Sequence, residues 1–293
     1  MRPFQQVDVF SAEPFKGNPL AVVLEADDLS TETMRDIARW TNLSETAFVM
    51  APTEPGADYK VRIFSLANEL PFAGHPTLGS CHAWLTAGGT PQQPGVIVQE
   101  CGAGLVPIRR RDNGLLAFAG PPLIRSGPVD EATLDEIADV LQIDRASIVD
   151  SNWADNGPGW VVVLLASAAD VLAIEPLGSH DGPVNIGIVG PHQQGGDADF
   201  EVRAIFNGAG GAIREDPVTG SLNASVAQWL LSTGRASAPY TASQGTRLDR
   251  AGRPSISQDA DGTVWVGGET VTRVAGTIEI GEAMEAGVSE PRT

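Results

Sequence analysis

The chain has 293 residues, 42% of them hydrophobic, a formal net charge of −18 and two cysteines. Its length allows one large core or two ordinary ones, and acidic residues spread along the whole chain argue against a nucleic-acid partner. Cys81 and Cys101 cannot build a disulfide framework and match no zinc-knuckle spacing; with no signal-peptide pattern and no membrane-length apolar run, the expectation is a soluble cytoplasmic protein.

In chain order, alternating apolar residues predict strands from Phe4 to Phe10 and Asn18 to Glu25. A helix follows, with Met34, Ile37, Ala38 and Thr41 on one face and Ser30 or Thr31 as its cap. Strands are expected from Thr46 to Met50 and Tyr59 to Ser65, then an apolar helix from about His75 to Ala87. Val96 to Gln99 and Leu105 to Arg109 read as strands, and the turn Asp112-Asn113-Gly114 leads into Leu115 to Ala119 as a hairpin. Beyond Gly120-Pro121-Pro122 the order resumes with a helix from about Glu131 to Leu141. Strands follow at Ser147 to Ser151, Trp160 to Leu165, Val184 to Val189 and Glu201 to Phe206. A glycine-rich loop (Gly208, Gly210, Gly211) precedes a second apolar helix, Ser221 to Leu231. Ser255 to Gln258, Thr263 to Val266 and Val271 to Ile280 are the last strands, before a tail at 286–293.

Two stretches half a chain length apart repeat one another. Glu69-Leu70-Pro71-Phe72-Ala73-Gly74-His75-Pro76 aligns without a gap to Glu215-Asp216-Pro217-Val218-Thr219-Gly220-Ser221-Leu222. Such a repeat predicts two similar halves, residues 1–120 and 121–285, related by a pseudo-two-fold axis. Each half carries an apolar helix best buried inside its own curled sheet. A ligand cleft is expected at the seam between them.

Gly74 and Gly220 stand where the two apolar helices begin. Paired helix N-termini offer unpaired N–H groups and positive dipole ends to a compact anion such as a carboxylate; alternatively, each glycine only turns the chain into a buried helix. His75 and Ser221 occupy equivalent positions, one able to move a proton near neutral pH and the other to hydrogen-bond a substrate oxygen. Asp216 could hold a substrate amine or hydroxyl, or cap its helix. Glu45 lies between a helix end and a strand. Partial desolvation there would raise its pKa toward a range useful for carbon acids, although the local sequence reads more readily as a solvated loop glutamate. His75, His82, His180 and His192 fit no metal-ligand spacing, Gly208-Ala209-Gly210-Gly211 is no nucleotide loop, and Ser221 lies in no G-x-S-x-G elbow.

Phe15-Lys16-Gly17-Asn18-Pro19, Asn42-Leu43-Ser44-Glu45-Thr46 and the two repeat motifs together resemble the phenazine-biosynthesis PhzF-like family, within the wider diaminopimelate-epimerase fold. The resemblance covers essentially the whole chain. It implies an α+β fold of two pseudo-symmetric halves, each a curled, mostly antiparallel sheet around a central helix, with an active site between them. It further implies a homodimer that uses no cofactor. By the same resemblance Glu45 is the general acid/base, His75 and Asp216 contact the substrate and help relay the proton, and Gly74, Gly220, Ser221 and Asn18 bind the substrate. The implied partner is a small carboxylate-bearing metabolite. The family's best-known reaction isomerises trans-2,3-dihydro-3-hydroxyanthranilate by moving a proton between ring carbons. Racemases of the wider fold place a cysteine just before each helix-opening glycine; here those positions hold Ala73 and Thr219. That disfavours two-cysteine racemisation and leaves proton transfer through Glu45. An amino-acid-type epimerase and a non-catalytic metabolite-binding protein are the alternatives.

Overall fold

The structure, a computed structural model, describes residues 1–281 apart from Asp112 and Ala209; the expected tail and the first residue of the 112–114 turn lie outside the described residues. Strand pairing bears out two halves built alike. The first sheet runs Thr270–Ile278, Arg2–Val9, Asn18–Val23, Glu45–Met50, Tyr59–Ser65, Val96–Cys101, Gly104–Arg110 and Leu116–Ala119. The second runs Arg125–Gly127, Asp150–Asp155, Val161–Leu164, Asn185–Pro191, Phe200–Asn207, Tyr240–Gln244, Ser255–Gln258 and Val264–Gly268. Along both, the third and fifth junctions are parallel and the others antiparallel. The sheets join where Leu116–Ala119 pairs antiparallel with Val264–Gly268.

Each edge strand pairs away from the sheet that precedes it in the chain. Arg125–Gly127 follows the first sheet in sequence but pairs with Asp150–Asp155 of the second. Thr270–Ile278 follows the second sheet but pairs along Arg2–Val9 of the first. The segment 121–285, read from sequence as one half, thus contributes a strand to the other.

Helix α1 (Thr31–Thr41) and helix α2 (Gly74–Thr86) belong to the first half. Helices α3 (Glu131–Leu141), α4 (Ala168–Ala173) and α5 (Gly220–Ser232) belong to the second. In α2 and α5 nearly every residue of the first three turns is buried, as expected of helices apolar around most of their circumference. Leu78 and Cys81 of α2 and Leu222, Val226 and Leu230 of α5 share one core with the inward residues of both sheets. The amphipathic helices cover outer faces instead: Met34, Ile37 and Ala38 of α1 pack with Phe48 and Phe64, and Leu134, Ile137 and Leu141 of α3 pack with Ile188 and Ile205. From sequence the second half resumes with α3, but by topology α4 is the counterpart of α1, because each connects two parallel-paired neighbours and such a connection requires a crossover. The strand expected at Ser147–Ser151 instead begins at Asp150, after a 3-10 turn at Arg145–Ser147.

The two central helices meet at their first residues. A Cβ added to Gly74 would lie 2.8 Å from Gly220 Cα and 2.7 Å from Phe118 Cζ, and one added to Gly220 would lie 2.9 Å from Gly74 Cα. Backbone therefore packs on backbone, and no side chain fits between. Gly220→Ala is expected to destabilise the protein by about 1–3 kcal/mol through overpacking, measured by urea unfolding. Gly276→Ala, where an added Cβ meets nothing within 4 Å, is the matched control and should change stability little.

Candidate active site

Each central helix starts just after a two-stranded hairpin. Leu70 pairs opposite Ile63 in the first half and Asp216 opposite Ala204 in the second, so the repeat carries Leu70 and Asp216 to equivalent places. Ser30, Asp130 and Ser167 cap α1, α3 and α4 through their side chains, but Ala73 and Thr219 give α2 and α5 no such cap. Two helix starts thus present uncapped ends at one seam. Asp216 is no helix cap either: it accepts the Thr219 hydroxyl rather than a helix N–H.

Around this seam the expected residues converge. Asn18, fully buried at the start of its strand, sends its amide across to the second half. Its Nδ2 donates to the Val218 carbonyl (2.9 Å) and to Asp216 Oδ1 (3.2 Å), and lies 3.4 Å from His75 Nδ1. The two oxygens fix the amide's orientation and take its two hydrogens; a hydrogen on His75 Nδ1 would face that NH2, so the imidazole hydrogen is assigned to Nε2. That Nε2 faces Glu45 Oε2 at 3.5 Å. Both atoms are buried without a hydrogen-bond partner, as is Asn18 Oδ1. Polar groups left open in this way need a partner from outside the protein.

Ser221, beside Gly220, accepts the Trp160 indole N–H at 3.2 Å and keeps its own hydroxyl hydrogen to donate. Its carbonyl accepts Asn156 Nδ2 at 2.9 Å. Behind Asp216, Gln244 donates to the Asp216 carbonyl (3.2 Å) and to Thr219 Oγ1 (3.0 Å), while its Oε1 receives Asn223 Nδ2 (2.7 Å). Sequence reasoning missed Gln244, Asn223, Trp160 and Asn156 as site residues. Single amides and an indole scattered over a helix, a strand and loops form no spacing pattern, and the fold gathers them.

Burial dominates the electrostatics. The Glu45 side chain is 19% exposed, yet desolvation, reinforced by the nearby Asp216 charge, raises its proton affinity well above that of an ordinary glutamate. Asp216 is raised for the same reason, partly offset by the Thr219 and Asn18 hydrogen bonds. His75 moves the other way, its pKa lowered to about 3 by burial alone. This corrects the expectation that His75 titrates near neutral pH: it is a neutral imidazole there, and the seam's proton resides on the carboxyl pair. The cysteines take no part, since Cys81 is buried in α2 and burial holds both thiols protonated.

A family model described as "Phenazine biosynthesis-like protein" matches residues 7–276. Antisense-enhancing sequence 1 of Schizosaccharomyces pombe is 36% identical over 93% of this chain and 97% of its own length. The trans-2,3-dihydro-3-hydroxyanthranilate isomerase of Pseudomonas aeruginosa is 36% identical over 60% of this chain and 62% of its own. Relatives in Pasteurella multocida and Salmonella typhimurium are also named isomerases, with no substrate stated. A crystal structure of a phenazine biosynthesis protein of the PhzF family from Bacillus anthracis shares the fold, with a TM-score of 0.78 at 20% identity over 95% of this chain and 99% of that one.

Because the folded protein raises the proton affinity of Glu45, it binds more protons than the unfolded chain above the ordinary glutamate pKa of about 4.3. Stability therefore falls as pH rises through that window. Glu45→Gln should escape this loss: its melting temperature should match the parent's near about pH 4 and exceed it by a few degrees near about pH 8, as read by thermal unfolding across pH. From its sequence match, its fold and its named relatives, the chain belongs to the phenazine biosynthesis-like protein family and is an isomerase.

Proposed function

We propose that this isomerase moves a proton between carbons of a small carboxylate-bearing substrate held at the seam, with Glu45 as the transferring group. The observation that carries the reading is the meeting of two uncapped helix starts beside a buried acid pair. The helix starts at Gly74 and Gly220, with the Ser221 hydroxyl, supply donors and positive dipole ends for a carboxylate. The same donors stabilise negative charge that spreads toward the carboxylate when a neighbouring C–H ionises. Glu45 holds a proton it can give to carbon, and once ionised it is a stronger base than an ordinary carboxylate. His75 Nε2–H faces the Glu45 oxygen and can steady it in either state. Asp216 and Asn18 are placed to hold a polar substituent of the substrate.

The default substrate is trans-2,3-dihydro-3-hydroxyanthranilate, supported by the name of the Pseudomonas aeruginosa relative and the family resemblance. The same resemblance supports a homodimer working without a bound cofactor. Epimerisation through paired thiols is disfavoured, because Ala73 and Thr219 stand where the cysteines would be.

The test is turnover of this substrate in deuterium oxide followed by NMR. Deuterium should enter at a ring carbon together with double-bond migration, and Glu45→Gln should lower the rate by about 10²–10⁴-fold. A Glu45→Gln protein that keeps full turnover would remove Glu45 from the role. Deuterium at a stereocentre without migration would replace isomerisation by epimerisation.

A further inference from the structure

The glutamate that opens each repeat motif binds an arginine, and this pairing is itself duplicated. In the first half Arg62 forks onto Glu69, with Nε to Oε1 at 2.7 Å and Nη2 to Oε2 at 2.6 Å. In the second half Arg203 forks onto Glu215, with Nε to Oε1 at 3.1 Å and Nη2 to Oε2 at 2.8 Å. The two pairs differ in surroundings. The side chains of Arg62 and Glu69 are 24% and 39% exposed, those of Arg203 and Glu215 only 3% and 9%. Arg203 also donates Nη1 to the carbonyls of Val171 and Ile174, at 3.0 and 2.8 Å, at the end of α4.

The pairs also differ in what they carry. Successive strand residues point to opposite faces, so anchoring Glu69 sets the place of Leu70, and anchoring Glu215 sets the place of Asp216. Leu70 has no proton to move. A buried ion pair is a weak stabilising device, since apolar side chains of similar volume often serve as well. A bidentate fork tied also to a helix end, however, fixes geometry closely. The buried copy of the clamp is the one next to the acid.

We propose that Arg203 and Glu215 are positioning residues: together they hold Asp216 at the seam and set the electrostatic environment in which it binds its proton. This rests on the assignment of Asp216 to the site, although the titration arm of the test does not require turnover. The charged and titratable groups around Asp216 are Glu45 across the seam, His75, which meets the same Asn18 amide, and Glu215, which is paired to Arg203. The Glu215 charge raises the proton affinity of Asp216.

The experiment is a pH titration of the Asp216 carboxyl by carbon-13 NMR in aspartate-labelled protein, with Asp216→Asn assigning the signal. Glu215→Gln removes a negative neighbour and leaves Arg203 uncompensated, so the Asp216 titration should move down by about 1 pH unit. Glu69→Gln, the same change in the exposed clamp, should leave it in place. Arg203→Lys keeps the charge but loses the fork. It should lower turnover about tenfold in kcat while its urea midpoint stays near the parent's. An Asp216 titration that Glu215→Gln does not move, or that Glu69→Gln moves equally, overturns the proposal. So does an Arg203→Lys protein with parental kcat. Absence of turnover in the parent with the titration shift intact would instead count against the isomerase substrate and leave the clamp standing.

Discussion

The backbone contact between Gly74 and Gly220 is the constraint on which the rest depends. Two buried helices approach end to end closely enough that neither first residue can carry a side chain. That approach brings the unpaired N–H groups of both helices to one point. It also brings the residues flanking each glycine, from two sheets and distant parts of the chain, within reach of each other. Everything chemical in the molecule is gathered by this contact: Glu45 and His75 from one half, Asp216, Thr219 and Ser221 from the other, and Asn18 bonded across the gap.

Symmetry builds the cleft, and departures from symmetry give it chemistry. The pairing order of the two sheets is the same junction by junction, and the arginine–glutamate clamps repeat almost atom for atom. The substitutions lie where function would need them: an acid opposes a leucine, a histidine opposes a serine, and Thr219 opposes Ala73. Because the seam is desolvated, these few polar residues have large effects. Burial raises both carboxyls, lowers the imidazole and leaves Asn18 Oδ1, Glu45 Oε2, His75 Nε2 and Asn156 Oδ1 without a partner among the described residues.

The sequence made the architecture legible to the extent that it repeats. Uniformly apolar stretches after Gly74 and Gly220 identified the two central helices, and strands such as Tyr59–Ser65 and Ser255–Gln258 follow from alternating polar and apolar residues. The short strands Glu69–Leu70 and Arg125–Gly127 and the six-residue helix Ala168–Ala173 carry too few residues to show a period. The pairing of the edge strands was invisible because pairing partners are chosen by tertiary packing. At the site, the glycines, His75 and Asp216 stood out through the repeat, and Glu45 only through family resemblance. Gln244, Asn223 and Trp160 became visible once the fold had placed them behind Asp216 and Ser221, and the titration range of His75 depended on a degree of burial that no local pattern encodes.

The central claim is that both helix starts hold one carboxylate beside the acid pair. A crystal structure with 3-hydroxyanthranilate, an aromatic relative of the proposed substrate, tests it most directly. The carboxylate oxygens should lie about 3 Å from backbone N–H groups at the starts of α2 and α5, with the ring against Glu45. A carboxylate bound to one helix start alone, or away from the Gly74–Gly220 contact, would contradict the account.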